Sequence, residues 1–484
     1  MKTLQADGSW NSGKKVNSPQ LMEGMTGIYW DESGNEVEVT VDNQDNWYDY
    51  SKQEWANAVT KDSNGNVTGY WVWIPRYAYK IETNRYTNTV GKISVKFLQG
   101  TTNKDESNAE ISTTYPETTG ATMSAFVVHP SFINGTSNHY MNGEWDKEIS
   151  GYWVAKYPAG FQANTITNNN GTLSTTISNS SDTVVYSNKN YTSYHANMTT
   201  NALSQNLTSS GYASQKLSYP VFKPLTYAYN NISTGDAYTI SKEIASASSF
   251  YGLNSTKTDS HQMKNSEWEA VAYLTQSSYG RNGTEISLNN YYTTESSPWR
   301  TAITGMCTNG TSGSKSTTLG NAYNTTVGVK GSSTANVTGI YDLNGCVWER
   351  TAAYISNGNA SLSSYGQSYA NTTANANGYQ TLSTKWATVY PYNSSDSNTN
   401  NYSIYSGKKS TIYGFGDAVL ETSTTGSGST SWNGDFSCFP NTSRPFFIRG
   451  GYYSDTSYAG LFVFNYYNGD PYFSYGFRSV LVIK

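Results

Sequence analysis

Three cysteines and four histidines are the side chains of this chain with most capacity for nucleophilic, redox or metal chemistry. Their spacing supports none of it. Cys307, Cys346 and Cys438 are odd in number and far apart, so they form neither a metal-ligand pattern nor a disulfide framework. One bridge is allowed by number, but free buried thiols packing as small hydrophobes are the simpler expectation. His129, His139, His195 and His261 include no H-E-x-x-H and no near pair. Glu267 and Glu269 bracket Trp268, yet on a helix residues two apart point to different faces, which is poor geometry for paired acid–base work. A nucleophile elbow and a phosphate-binding glycine loop are also missing. The expectation is a protein with no catalytic residues, not an enzyme.

Recognition chemistry is better represented. Residues 452–475 read YYSDTSYAGLFVFNYYNGDPYFSY. Tyr452, Tyr453, Tyr458, Tyr466, Tyr467, Tyr472, Phe473 and Tyr475 alternate with Ser454, Asp455, Ser457, Asp470 and Ser474. Val463 belongs to the same candidate surface, while Leu461, Phe462 and Phe464 read as a buried spine. Tyrosine gives contact area at low entropy cost, and small polar residues adapt their hydrogen bonds, as in antibody paratopes. A buried phenol needs a hydrogen-bond partner, so such a density of tyrosine argues for a surface. The bland alternative is a fixed aromatic loop packed on the core.

Composition agrees with a binding role. Charged residues make up 14% of the 484-residue chain, which carries 42 Tyr, 42 Gly and a net charge of −4. That balance leaves no basic footprint for nucleic acid. The first residues lack the apolar core of a secretory signal, and no apolar run is long enough to span a bilayer. A cytosolic protein, a phage-particle component or a chain separated from its anchor would each fit, as a monomer or an oligomer.

The elements that must position these residues are mostly strands and turns. Residues 1–68 read as a small β-rich N-terminal module for attachment. EVEVTVD alternates with the period of a half-buried strand between turns at Asp31–Asn35 and Asp62–Asn66, and Trp47, Tyr48, Tyr50 and Trp55 supply a small core. Two runs that share GYWV, at 69–81 and 151–161, predict two strands of one sheet, with Pro75 marking an edge or a strand start. Helices are predicted at 233–245, capped by Ser233, and at 265–274, with a capping box from Ser266 to Glu269. Residues 163–216 and 356–432, rich in Asn, Ser, Thr, Tyr and Gly, predict long surface loops or hairpins. The fold class is α+β with much irregular structure.

Four segments, in order, resemble the formylglycine-generating-enzyme branch of the C-type-lectin fold: WVWIPRYAYKI, KNSEWEAVAYL, GIYDLNGCVWERTAAYI (339–355), and FIRGG (447–451) with YGFRSVLVI (475–483). The resemblance covers about residues 69–484, with the two low-complexity stretches as insertions. It implies a loop-rich lectin-type domain. It also implies a calcium site formed by the Asp342 side chain, the Gly345 and Val347 carbonyls and the Glu349 carboxylate, a ligand mix suited to a hard cation. Without the metal, Glu349 would bond backbone N–H groups of its own turn. Cys346 stands where the family usually has Asn, and Arg350 where it has a second Trp. The family's oxidative chemistry uses cysteines in the segment leading into GFR, and Arg449–Arg478 contains none. A second resemblance is to variable proteins of diversity-generating retroelements. They use this fold and rewrite the stretch before the terminal GFR, turning Asn codons into Tyr, Ser, Asp and Phe. It implies variable positions over 452–475 that bind a protein or glycan on another cell or particle, from a phage tail or a bacterial surface. A thiol-modifying oxidase and a structural virion or pilus component are the alternatives.

Overall fold

The computed structural model describes residues 16–160 and 219–484, except 84–88, 117–121, 136–142, 231, 293–301, 319, 367–368, 371–384, 391–401 and 403–414. Within 161–218 it describes two short strand pairs, Asn168–Asn169 with Thr172–Leu173 and Val184–Tyr186 with Lys189–Tyr191. His139, His195 and most of the 163–216 stretch therefore lie outside the described residues.

The early strands are β1 (Met25–Trp30), β2 (Glu36–Glu38), β3 (Asn57–Lys61) and β4 (Val67–Pro75). They are followed by β5 (Tyr77–Ile81), β6 (Ile93–Phe97), β7 (Val127–Val128) and β8 (Gly151–Ala155). Helix α1 (Thr234–Glu243), strand β9 (Thr258–Gln262) and helix α2 (Asn265–Gln276) come next. The last part supplies β10 (Trp348–Ile355), β11 (Thr388–Tyr390), β12 (Ser427–Ser429), β13 (Phe436–Cys438) and β14 (Phe446–Gly450). It ends with β15 (Gly460–Tyr467), β16 (Tyr475–Phe477) and β17 (Ser479–Ile483).

The principal sheet runs β9-β17-β8-β4-β3-β1-β2. Its neighbours are all antiparallel. The two GYWV runs pair directly, Trp73 opposite Trp153, and their indoles sit 5.2 Å apart. Pro75 is the last residue of β4, where its missing N–H costs the ladder least. The boundary expected at residue 68 falls inside β4, and β3 pairs along β4, so β1, β2 and β3 share the main sheet with β8, β9 and β17. Trp47, Tyr48, Tyr50 and Trp55 accordingly join the same large core as Trp71, Trp153, Trp268 and Leu481. The solvated alternation of EVEVTVD survives only as the exposed edge strand β2.

The second sheet runs β11-β10-β14-β15-β13-β12, with β16 added in parallel beside β10. A third joins β6, β5 and β7. Helix α1 starts as the sequence predicts, the Ser233 hydroxyl accepting the Asp236 N–H at 3.1 Å. Helix α2 starts earlier than its predicted capping box. Glu267, not Glu269, reaches back to accept the Lys264 N–H at 2.8 Å, which frees Glu269 for another partner.

The described parts of 356–432 are only partly surface loops and hairpins: Gly358, Ala360 and the edge strand β12 are exposed there, but other parts go inside. Val389, Tyr390, Tyr402, Phe415, Val419, Leu420 and Trp432 are buried. The stretch read as polar because tyrosine, serine and threonine look hydrophilic in composition. Here the phenols go inside with partners: Tyr390 donates to Asp417 at 2.6 Å and Tyr402 to the Ser423 carbonyl at 2.8 Å. The same holds for Tyr50, Tyr77 and Tyr251, whose hydroxyls end on backbone carbonyls. Much of the tyrosine enrichment is thus a property of the core. The result is a mixed, sheet-rich α+β protein with few helices.

Candidate functional site

Strands β10, β14, β15 and β16 bring the C-terminal aromatic residues together. Because side chains alternate along a strand, β15 turns Phe462 and Phe464 one way and Val463 and Tyr467 the other. In the register, Trp348 lies opposite Tyr475, and Arg350 opposite Ile448. Trp348, Ile448 and Val463 form a small buried cluster on this second face, rimmed by the half-buried Phe436, Tyr452, Tyr467 and Tyr475.

Most candidate residues have some solvent access. Tyr458 and Tyr472 are 51% and 46% exposed. Ser457 is exposed, while Tyr452, Ser454, Asp455, Tyr466, Tyr467, Asp470, Phe473 and Tyr475 are half-buried. Three belong to the interior instead. Tyr453 is 1% exposed and stacks on Tyr292 at 5.0 Å, because its N–H bonds to the Cys346 carbonyl and draws it under the turn. Val463 is sealed by Trp348 and Ile448. Ser474 is buried where its carbonyl accepts the Trp348 N–H at 2.8 Å.

The face is organised around a cation that the sequence reading did not select. Arg350 is 1% exposed, and its guanidinium carbon sits 5.2 Å from the Tyr467 ring centre and 5.1 Å from that of Tyr475. Those two rings are 4.1 Å apart, and Tyr472 adjoins Tyr475 at 5.6 Å. One Arg350 N–H donates to the Asp470 carbonyl, while Nε and Nη1 have no partner among the described residues. Cation–π contact of this kind contributes roughly 0.5–2 kcal/mol per pair. The signal in the sequence was the departure at 350 itself, an arginine where the resembling pattern has tryptophan. Asp455 holds the adjoining turn. It accepts the Tyr452 N–H at 3.0 Å, and burial pushes its carboxyl up to about 7.

The proposed calcium ligands have other occupations. Asp342 is buried and accepts the Asn289 amide at 2.8 Å and the Gly305 N–H at 2.7 Å. Burial raises its carboxyl to about 7. Glu349 forms a two-pronged pair with Arg478, at 2.9 and 2.6 Å. Its carboxylate thus pairs with Arg478 rather than with N–H groups of its own turn. Gly345 donates to the Gly450 carbonyl, and Val347 packs beside Cys346 and Tyr453. Each oxygen of the two carboxylates meets an N–H donor in this arrangement. The motif also shapes the backbone. Asp342, Gly345 and Cys346 all take left-handed backbone, and a Cβ on Gly345 would meet the Asn289 carbonyl oxygen at 2.4 Å. Arg478 also donates to the Ala155 and Tyr341 carbonyls, tying the terminal strand to β8 and to the turn before β10.

A buried polar cluster lies behind the aromatic face. His129 Nε2 is 3.1 Å from Glu269 Oε2, both fully buried. Glu421 accepts the hydroxyls of Tyr79, Tyr115 and Tyr273 at 3.0, 2.8 and 3.1 Å. Burial raises the Glu269 carboxyl to about 8 and lowers His129 to about 3, so both are neutral near pH 7. His261 pairs with Glu267 at 2.7 Å. Both described histidines therefore have a glutamate partner on α2. Glu267 and Glu269 do diverge, as their spacing requires, each toward its own histidine.

The three thiols are free and occupy different surroundings. Burial raises Cys307 to about 12, Cys346 well above the usual thiol range, and Cys438 to a lesser degree. Among the described residues, no group of three or more His, Cys, Asp or Glu is arranged to hold a metal ion, and no helix is long and apolar enough to cross a membrane. Neither protein-family models nor curated proteins match this chain.

Proposed function

We propose that this chain is a non-enzymatic display protein that binds a protein or glycan ligand through the aromatic face of β10, β14, β15 and β16. The observation that carries the reading is where exposed aromatic surface occurs. Only four large apolar side chains are exposed among the described residues, and two of them, Tyr458 and Tyr472, belong to the C-terminal stretch. Around them the half-buried Tyr452, Tyr467, Phe473 and Tyr475 present ring edges and hydroxyls. Aromatic anchors of this type dominate binding energy at interfaces.

Within this proposal the fold is the formylglycine-generating-enzyme type of C-type-lectin domain, and the face is diversified by a retroelement. The half-exposed positions are the ones that would vary, while Tyr453, Val463 and Ser474 stay fixed because the frame needs them. The protein would act from a phage tail or a bacterial surface. Thiol oxidation is the weaker reading, since each described thiol is held protonated in its own environment. The test compares the parent with a Tyr458→Ala/Tyr472→Ala variant for adhesion to candidate host cells. Loss of adhesion at an unchanged melting temperature is expected, and undiminished adhesion would refute the assignment. Finding a near-copy of the 452–475 coding segment beside a reverse transcriptase gene would test diversification separately.

A further inference from the structure

A cavity of about 10 Å³, enough for the centre of one water-sized sphere, lies where the start of β15 meets the turn before β13. Asp435, Glu285, Asn344 and Asn433 line it, and no lysine or arginine does. The Oδ1 atoms of Asn344 and Asn433 are buried and have no hydrogen-bond donor. Asn344 is 3% exposed, and its Nδ2 is spent on the Ile286 carbonyl at 2.7 Å. Its oxygen therefore has only the cavity side of the amide left. Asp435 uses one oxygen to accept the Phe462 N–H at 2.8 Å. Burial first, and then the like charge of Glu285, push its carboxyl well above the usual range. Arg449 attracts it from outside the cavity; that guanidinium donates one N–H to the Asp417 carbonyl, while its Nε and Nη1 have no partner among the described residues.

Two carboxylates and two amide oxygens without donors thus surround a single small space that lacks a positive charge. We propose that this space binds one calcium-sized divalent cation, ligated by side-chain oxygens of Asp435, Glu285, Asn344 and Asn433. An all-oxygen, irregular set suits calcium, whereas magnesium demands a tighter octahedron. The site takes Asn344 from the Asp342–Glu349 turn but uses neither of that turn's carboxylates, whose oxygens all have donors. The ion would join three distant segments beneath β15. The close fit there is visible at Gly460, where an added Cβ would lie 2.2 Å from Asp435 Oδ1. It would also brace Phe436, which packs edge-on against Tyr458 at 5.4 Å.

The experiment is calorimetric titration of calcium chloride into the chelator-treated full chain, with melting curves taken with and without calcium. One calcium per chain and a calcium-raised melting temperature are expected. Glu285→Gln, a half-buried position that should fold normally, removes one ligand charge and should weaken binding at least about tenfold, since charge count sets affinity in such sites. Asp435→Asn should abolish the calcium response and, lacking an uncompensated carboxyl, melt no lower than the calcium-free parent. Absence of calcium binding in the parent, which would mean water alone fills the cavity, overturns the proposal. So does a calcium response that survives in both variants.

Discussion

Replacing Glu269 by Gln should remove a specific part of the pH dependence of folding. Glu269 is fully buried beside His129, Glu421, Asp417 and Tyr273, and its carboxyl rises from 4.5 to about 8. In the unfolded chain the proton leaves near the ordinary value, while in the folded chain it stays until about pH 8. Over that interval the folded form binds the extra proton, so rising pH removes stability at a rate approaching about 1.4 kcal/mol per unit. His129 acts in the opposite sense, because its folded value falls from 6.5 to about 3 and stability is lost as pH drops through that window. The two slopes oppose one another between the two ordinary values. The Glu269 contribution therefore emerges above 6.5, the ordinary value of His129, and amounts to a loss of roughly 2 kcal/mol by about pH 8. Gln keeps the size and hydrogen-bonding capacity of the protonated acid but cannot titrate. Urea denaturation of parent and variant at several pH values would measure this. The difference in unfolding free energy should shift toward the variant as pH rises, whatever the other buried carboxyls contribute to both. Parallel curves from pH 6 to 9 would refute the reasoning.

Two further outcomes concern the frame and the face. Arg478→Met strands Glu349 as an unpaired buried carboxylate and should destabilise by about 3–5 kcal/mol, whereas Glu349→Leu with Arg478→Met should recover much of that loss; a double-mutant cycle by urea denaturation reads both. Tyr453→Ala should cost about 3 kcal/mol or more through the cavity it leaves, while Tyr472→Ala should stay within about 0.5 kcal/mol; equal effects in melting curves would mean that the division between interior and face is misplaced.

What the sequence revealed depended on how local the signal was. The two GYWV strands, the α1 cap at Ser233 and the turn at Asp342–Gly345 are fixed by residues adjacent in the chain, and they were legible. The partners of Glu349 and Glu269 were not, because they lie far away in sequence: Arg478 is 129 residues from Glu349. The composition of 356–432 misled for a related reason. A tyrosine counts as polar in a composition, but its phenol can be buried once Asp417 or Glu421, also buried, waits for it. The module expected before residue 68 failed in the same way, since edge-strand alternation says nothing about which strand will pair on the other side.

The arrangement of β15 explains how one strand can serve both a rigid frame and an adaptable face. Its inward residues, Phe462 and Phe464, are fully buried. The strand is held on one side by β14, with Arg449 opposite Phe464, and touches β13 at Ser437 on the other. These contacts use backbone bonds and inward side chains, so they do not depend on what stands at the outward end of the strand. Beyond Phe464 the burial falls away through Asn465, Tyr466, Tyr467 and Asn468. A substitution at Tyr466 changes a ring edge or a hydroxyl at the surface, typically by no more than about 0.5 kcal/mol in stability, whereas one at Tyr467 also removes the ring that faces Arg350. The same substitution at Val463 would open a hole between Trp348 and Ile448. The limit of tolerated change is therefore set by the cover over the strand and not by the pleat: every residue from Gly460 to Phe464 is buried, and freedom begins where the strand leaves that cover.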